Sequence, residues 1–307
     1  MCGKLFNESA CAILSLTTRL AWTPDIPQPM SRKTVRRMLE TGALEGLVLR
    51  DTPGIEEACF ERASALLRRV SDVYAGMEAY RQMGYRLLLP DDEGWPEALC
   101  SLGSEAPLFL FEMGEKAGCS SSVAVAGSRR IVSETRSTAQ QTGRMIAEAG
   151  AVLITGGAEG VDTAALHGAL EADGRAVIVP AMPVTRLMEY RTIRRAMESG
   201  RLTILCDTLP DEPFSAAKAL SRNHTIYALG DAALVVAARD GQGGSWRGAM
   251  DCLAGGWSPV HVWDGCNADT AGNVQLQKLG ALTYSLDRPL GEQLVKRASQ
   301  TSLFDRT

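Results

Sequence analysis

The chain has 307 residues, 45% hydrophobic and 22% charged, with a formal net charge of −4. Such a length holds one large domain with appendages or two modest ones, around a core that needs no disulfide staples. The acidic balance excludes a polyanion-seeking surface over the whole molecule, so any nucleic-acid contact must be a local patch.

Residues 1 to about 85 read as helical. Asn7 or Ser9 is placed to cap a first helix through Leu20, and Ser31 a second in which Val35, Met38 and Leu39 share one stripe. Glu61 to Tyr80 gives a third helix, with Ala65, Leu66, Arg69, Val70 and Val73 at helical spacing. Pro24, Pro27 and Pro29 break the chain between the first two. The basic runs at 32–37 and at Arg68-Arg69 read as solvated helix faces. Tyr85–Leu89 reads as a short strand, WPEALCSL as a helix start, and Leu108–Phe111 as another strand.

From Val123 strands alternate with helices. The apolar runs are VAVA (123–126), AVLI (151–154), AVIVP (176–180), LTILC (202–206), ALVVAA (233–238) and PVHVW (259–263). Between them, helical spacing covers about 134–149, 161–172, 188–199, 216–229 and 246–254. Continuous apolar strands separated by helices predict a parallel sheet covered on both faces. The fold class is therefore α/β: a doubly wound, mostly parallel Rossmann-like sheet over about 86–285, preceded by an N-terminal helical domain and followed by a polar tail from 286. Its ligand site is expected beyond the carboxyl ends of the strands.

Scattered cysteines, eight in all and none in a CxxC pair, predict reduced thiols and neither a disulfide framework nor a zinc site. The N-terminus carries no cleavable signal pattern, and no run approaches the ~18 apolar residues of a membrane span. A soluble, cytoplasmic protein is expected.

Five features gather at the strand ends. Gly127-Ser128-Arg129-Arg130 follows VAVA, and Gly156-Gly157-Ala158-Glu159-Gly160-Val161-Asp162 follows AVLI. Glycines let backbone N–H groups approach an anion closely, and the helix behind adds partial positive charge. Neither turn is GxGxxG or a phosphate loop ending in Gly-Lys-Ser/Thr, which argues against dinucleotide binding and ATP hydrolysis. Ser221-Arg222-Asn223-His224 reads as opening a helix, and Gly241 to Ser245, containing Gly244, as a turn into the next one. Arg186, Arg191, Arg194 and Arg195 form a fifth, weaker feature. Each alone is compatible with tight packing or a solvated surface. Together they favour an anion site.

In this order and spacing, GSR, GGAEGVDTAALHGALEADG, SRNHTIYALGDAALVVAA and a GGS turn resemble the DNA-processing protein A family, also called Smf. YRLLLPDDEGWPEALCSLGSEAPLFLFEMGE and GNVQLQKLGA resemble that family's lead-in and last helix. The resemblance implies a non-catalytic protein that binds single-stranded DNA, forms homodimers, loads a RecA-type recombinase, and needs no cofactor or metal. It assigns phosphate contacts to Ser128 and Arg129, with Gly127 and Arg130 in the same turn. Backbone donors would come from Gly156, Gly157 and Gly160, a charge on the opposite wall from Arg222, and Ser245 would sit at the last turn, with Asp162, Asn223 and Gly244 beside them. Glu159 and His224 stand where the family carries arginine, and Gly243-Gly244-Ser245 replaces serine-glycine-serine.

In the tail, Gln300, Ser302, Leu303 and Phe304 resemble the peptide that docks bacterial proteins on the replicative sliding clamp, with Leu303 and Phe304 as apolar anchors. The alternative reading is a nucleotide-binding sensor or a phosphoribohydrolase-like Rossmann enzyme. The latter type carries Pro-Gly-Gly-x-Gly-Thr-x-x-Glu; here Thr155 precedes the glycine pair, two residues separate Gly157 from Gly160, and Glu171 lies too far along to be its carboxylate. His167 reads as a helix residue and not as a base.

Overall fold

The computed structural model describes residues 8–41, 56–115 and 121–294. Four helices come first: α1 (Glu8–Thr17), α2 (Arg32–Glu40), α3 (Glu57–Leu67) and α4 (Val70–Gln82). β1 (Arg86–Leu88), a 3-10 segment (Glu97–Glu105) and β2 (Leu110–Gly114) lead into the alternating part. There β3 (Ser122–Ala126), α5 (Ser133–Glu148), β4 (Val152–Thr155), α6 (Val161–Glu171), β5 (Arg175–Ile178), α7 (Val184–Leu187), α8 (Arg191–Glu198) and β6 (Leu202–Cys206) follow in turn. The chain continues through α9 (Ala216–Leu229), β7 (Ala232–Val235), α10 (Gly243–Gly255), β8 (Val260–Trp263), α11 (Ala271–Lys278), β9 (Leu282–Tyr284) and α12 (Leu290–Gln293).

The nine strands of the described residues form one sheet in the order β1-β2-β6-β5-β4-β3-β7-β8-β9. From β3 to β6 the chain winds one way; α9 then carries it back across the sheet to β7, on the other side of β3. These pairings are parallel, while β2 runs antiparallel to both β1 and β6. The strand order thus reverses between β3 and β7, which is where a crevice opens at the carboxyl ends.

Period-two alternation sorts the apolar residues into two layers. Ala124, Ile154, Val177 and Val179 face the core under α9 and α10. Val123, Val125, Leu153 and Ile178 face the core under α5, α6 and α8. A third cluster joins the N-terminal helices (Leu14, Val35, Leu66, Met77) to Phe109, Phe111, Ile204 and Cys206 of the sheet edge. The helical region is therefore packed onto the sheet through a shared apolar core.

Ser31 caps α2 as expected, its Oγ accepting from Thr34 N at 3.1 Å. The alternative first cap, Asn7, lies outside the described residues, and Ser9 falls inside α1. The single helix predicted over 61–80 is instead two, α3 and α4, broken at Arg68-Arg69. Arg69 is buried, donating to the carbonyls of Ser15 in the last turn of α1 and of Thr18 (3.1 Å) and Leu20 (2.9 Å) just past its end. A solvated face was the wrong reading for it, because those terminal carbonyls need a donor inside the core. Nor is α2 wholly solvated: Arg32 pairs with buried Asp207 at 3.3 Å, and Arg36 donates to Ala106 O at 2.7 Å. The segment predicted as polar tail from 286 begins by folding back. Leu290 is buried in the sheet core, and the Gln293 amide bridges Ser285 N and O.

Candidate nucleic-acid interface

A cavity of about 550 Å³ opens at the β3/β7 reversal. Its floor is the end of β3 with the turn Gly127–Arg130, one wall is α9, and the other is the loop from Arg239 into α10. Five arginines line it (Arg129, Arg130, Arg222, Arg239 and Arg247), against one carboxylate, Asp162. Arg129, Arg130, Arg239 and Arg247 are exposed at the mouth. Arg247 is held by Asp251 at 3.0 Å, and the Arg129 guanidinium lies 5.2 Å from the ring centre of half-exposed Phe214. The N-terminus of α10 enters with exposed Gly243 and Gly244, adding first-turn N–H groups and a partial positive charge.

Several predicted residues build this site. Gly127, Ser128, Arg129, Arg130, Asp162, Arg222, Asn223, Gly244 and Ser245 all line the cavity. Ser128 is fixed by its N–H donating to Ala237 O at 2.9 Å, which ties the β3 turn to the chain after β7. Asn223 Nδ2 donates to Gly244 O at 3.1 Å and the Tyr227 hydroxyl to Ser245 O at 3.3 Å, fastening α10 to α9.

Gly156, Gly157 and Gly160 lie behind the wall instead of lining the cavity, and all three are buried. Gly160 has φ +97°, and a Cβ there would come within 2.4 Å of Ser128 O and 2.5 Å of Arg129 O. Its role is to let the second turn close on the first. A Cβ on Gly156 would meet Arg222 Nη1 at 1.6 Å, so this glycine makes room for the guanidinium. The Gly156 and Ala158 amides point inward at the Asp162 carboxylate.

Arg222 does not open a helix. Ser215 caps α9 earlier, accepting from Lys218 N at 3.2 Å, and Arg222 sits mid-helix. Only 4% exposed, it donates to Val179 O at 2.6 Å while its Nε has no partner among the described residues. Burial pulls its pKa down, opposed by Asp162 and Asp207. Burial likewise pushes Asp162 up to about 6, against the pull of Arg222, the two amides and Arg129. A buried cation thus backs a cationic mouth, with its counter-charge also buried.

The two residues that break the arginine pattern stand off from the cavity. Glu159 is exposed and does not line it. His224 faces α10, with Nε2 3.1 Å from Asp251 Oδ2 and its ring 4.7 Å from that of Trp257. Arg239 and Phe214 were missed in the sequence. Arg239 directly follows an apolar run and could have been found as a strand-end cation, whereas nothing about Phe214 marks it as cavity-facing. Of the fifth feature, Arg191 and Arg195 line a separate groove against α6, and Arg194 caps the carbonyls of Met188 and Glu189.

The lining residues supply donors and positive charge, the chemistry of anion binding. Among the described residues no group of three or more His, Cys, Asp or Glu could hold a metal, and no helix is long and apolar enough to cross a membrane. The tail residues Gln300, Ser302, Leu303 and Phe304 lie outside the described residues.

No curated protein matches the chain. Among solved structures it is similar to DNA processing protein A from Streptococcus pneumoniae, with 18% identity and a TM-score of 0.64, covering 87% of this chain and 100% of that one. It is also similar to DNA processing protein A from Helicobacter pylori, a protein with a characterised single-stranded DNA binding mode, with 22% identity and a TM-score of 0.55 over 66% of this chain and 92% of that one. At such identities the likeness establishes the fold. The sequence model of the DNA recombination-mediator protein A family matches residues 86–287, the whole sheet from β1 to β9, and the chain belongs to that family.

Proposed function

We propose that this protein binds single-stranded DNA in the cavity between β3 and β7 and delivers it to a RecA-type recombinase, acting as a mediator without chemistry of its own. The observation that carries this reading is the charge of the cavity: five arginines to one carboxylate on a molecule of net charge −4. Guanidinium groups and helix-terminal N–H groups track a phosphate backbone without reading sequence. Phe214, half exposed beside Arg129, offers a face on which a base can stack. Among the described residues, those that line the cavity include no His, Cys, Lys or Glu to pair as acid and base.

The mediator works as a homodimer in this proposal, through the exposed apolar residues Val274, Leu279 and Leu282 around edge strand β9. The peptide Gln300–Phe304 is proposed to dock on a sliding clamp. Recombinase loading is tested by following RecA filament growth on a single strand already covered by single-strand-binding protein. Addition of this protein is expected to shorten the lag. An unchanged lag, with DNA binding intact, would contradict the mediator role.

A further inference from the structure

A second recess of about 220 Å³ lies between α6 and α8, lined by His167, Glu171, Arg191, Arg195 and Arg201. Its charges differ in how they are used. Arg201 is tied to Leu170 O at 2.9 Å and Asp173 at 3.0 Å, and Glu171 accepts from Gln140 at 2.8 Å and faces Arg144 at 3.8 Å. The guanidinium groups of Arg191 and Arg195, by contrast, belong to exposed residues and have no ion-pair or hydrogen-bond partner among the described residues. Four apart on α8, they project from one face of the helix. Two unpaired guanidiniums on one helix face form a surface that holds phosphates.

α6 links the two recesses. Asp162 in its first turn lines the main cavity and His167 lines the groove, five residues further on, about 8 Å along the helix axis and about 140° around it, so that α6 presents one recess on each of two faces. We infer that the α6–α8 groove is a second phosphate site, which takes the backbone of the same single strand where it leaves the main cavity. This rests on the DNA-binding reading proposed above, and it adds that the binding track is longer than the cavity.

The test compares R191A/R195A with wild type, using labelled oligothymidylates of about 4 and about 20 nucleotides across a salt series. The short oligomer is expected to bind both proteins equally. The long one is expected to bind the variant about tenfold more weakly, with a salt slope lower by about 1.4, two phosphate contacts at ~0.7 each. R191K/R195K, keeping both charges, is expected to recover most of the loss. Unchanged binding of the long oligomer by R191A/R195A would overturn the second site and leave the main cavity standing, and the groove would then belong to some other anion such as an acidic peptide. Failure of wild type to bind either length would overturn both.

Discussion

Asp162 is the residue on which the chemistry of the cavity turns. Its carboxyl is 8% exposed and its pKa is raised to about 6 from 3.8. A folded-state pKa above the unfolded one means that folding takes up a proton between about pH 4 and pH 6. Its stabilising contribution is therefore complete below about pH 4 and is lost as pH rises through about 6. D162N is expected to remove that part of the pH dependence, seen as a difference in Tm between variant and wild type that changes across this window and is flat above it. A constant difference would show that Asp162 keeps an ordinary pKa. Protonation also removes the one negative charge among the described residues that line the cavity, so oligonucleotide binding should tighten below about pH 6 in wild type but not in D162N. Gly160 makes a second residue-scale prediction. With φ +97° and backbone oxygens within 2.5 Å of any Cβ, G160A should cost on the order of 2–4 kcal/mol, lowering Tm by several degrees. A wild-type melting curve would mean that the two turns do not close on each other as described. The lining residues of the β3 turn were legible in sequence because glycine and arginine follow an apolar run. The orientation of Gly156, whose amide serves Asp162 and not a ligand, was not legible, because it depends on a side chain six residues away.

At the scale of elements, the parallel strands could be read directly, since strands buried on both faces are written as unbroken apolar runs. β9 could not: it has three residues, two of them exposed, and it is anchored by pairing with β8 and by the buried Tyr284, whose hydroxyl meets Thr142 at 3.1 Å. The break between α3 and α4 was hidden for a related reason. Helical spacing continues through Arg68-Arg69, and only the open carbonyls of the neighbouring helix explain why Arg69 turns inward. R69A would leave at least three carbonyls without that donor and a void among buried side chains. A loss of about 3 kcal/mol in unfolding free energy is expected by urea titration. R69K should rescue little, since one ammonium cannot reproduce the planar fork. A neutral R69A would show that water serves those carbonyls equally well.

For the whole molecule, the winding order puts the cavity where β3 and β7 part, and the N-terminal helices pack on the β1-β2-β6 edge of the sheet through a common core. The alternation of strands and helices made the doubly wound class legible, but the antiparallel pairing of β2 with β6, which seats the helical region, rests on contacts between distant segments. The proposed self-association also belongs to this scale. Replacing Leu279 and Leu282, both exposed at the β9 edge, with glutamate is expected to halve the mass measured by light scattering at micromolar concentration. An unchanged mass would place the dimer surface elsewhere, and a monomeric wild type would remove it.

The most direct test of DNA binding in the β3/β7 cavity is fluorescence anisotropy of a labelled single-stranded oligonucleotide across a salt series, with wild type, R129A and R239A. Micromolar or tighter wild-type binding that weakens steeply with salt is expected, with each variant losing about tenfold in affinity and about 0.7 in salt slope. Absence of binding at low salt, or binding that both variants retain in full, would contradict it, and a mononucleotide would become the ligand to try in the same cavity.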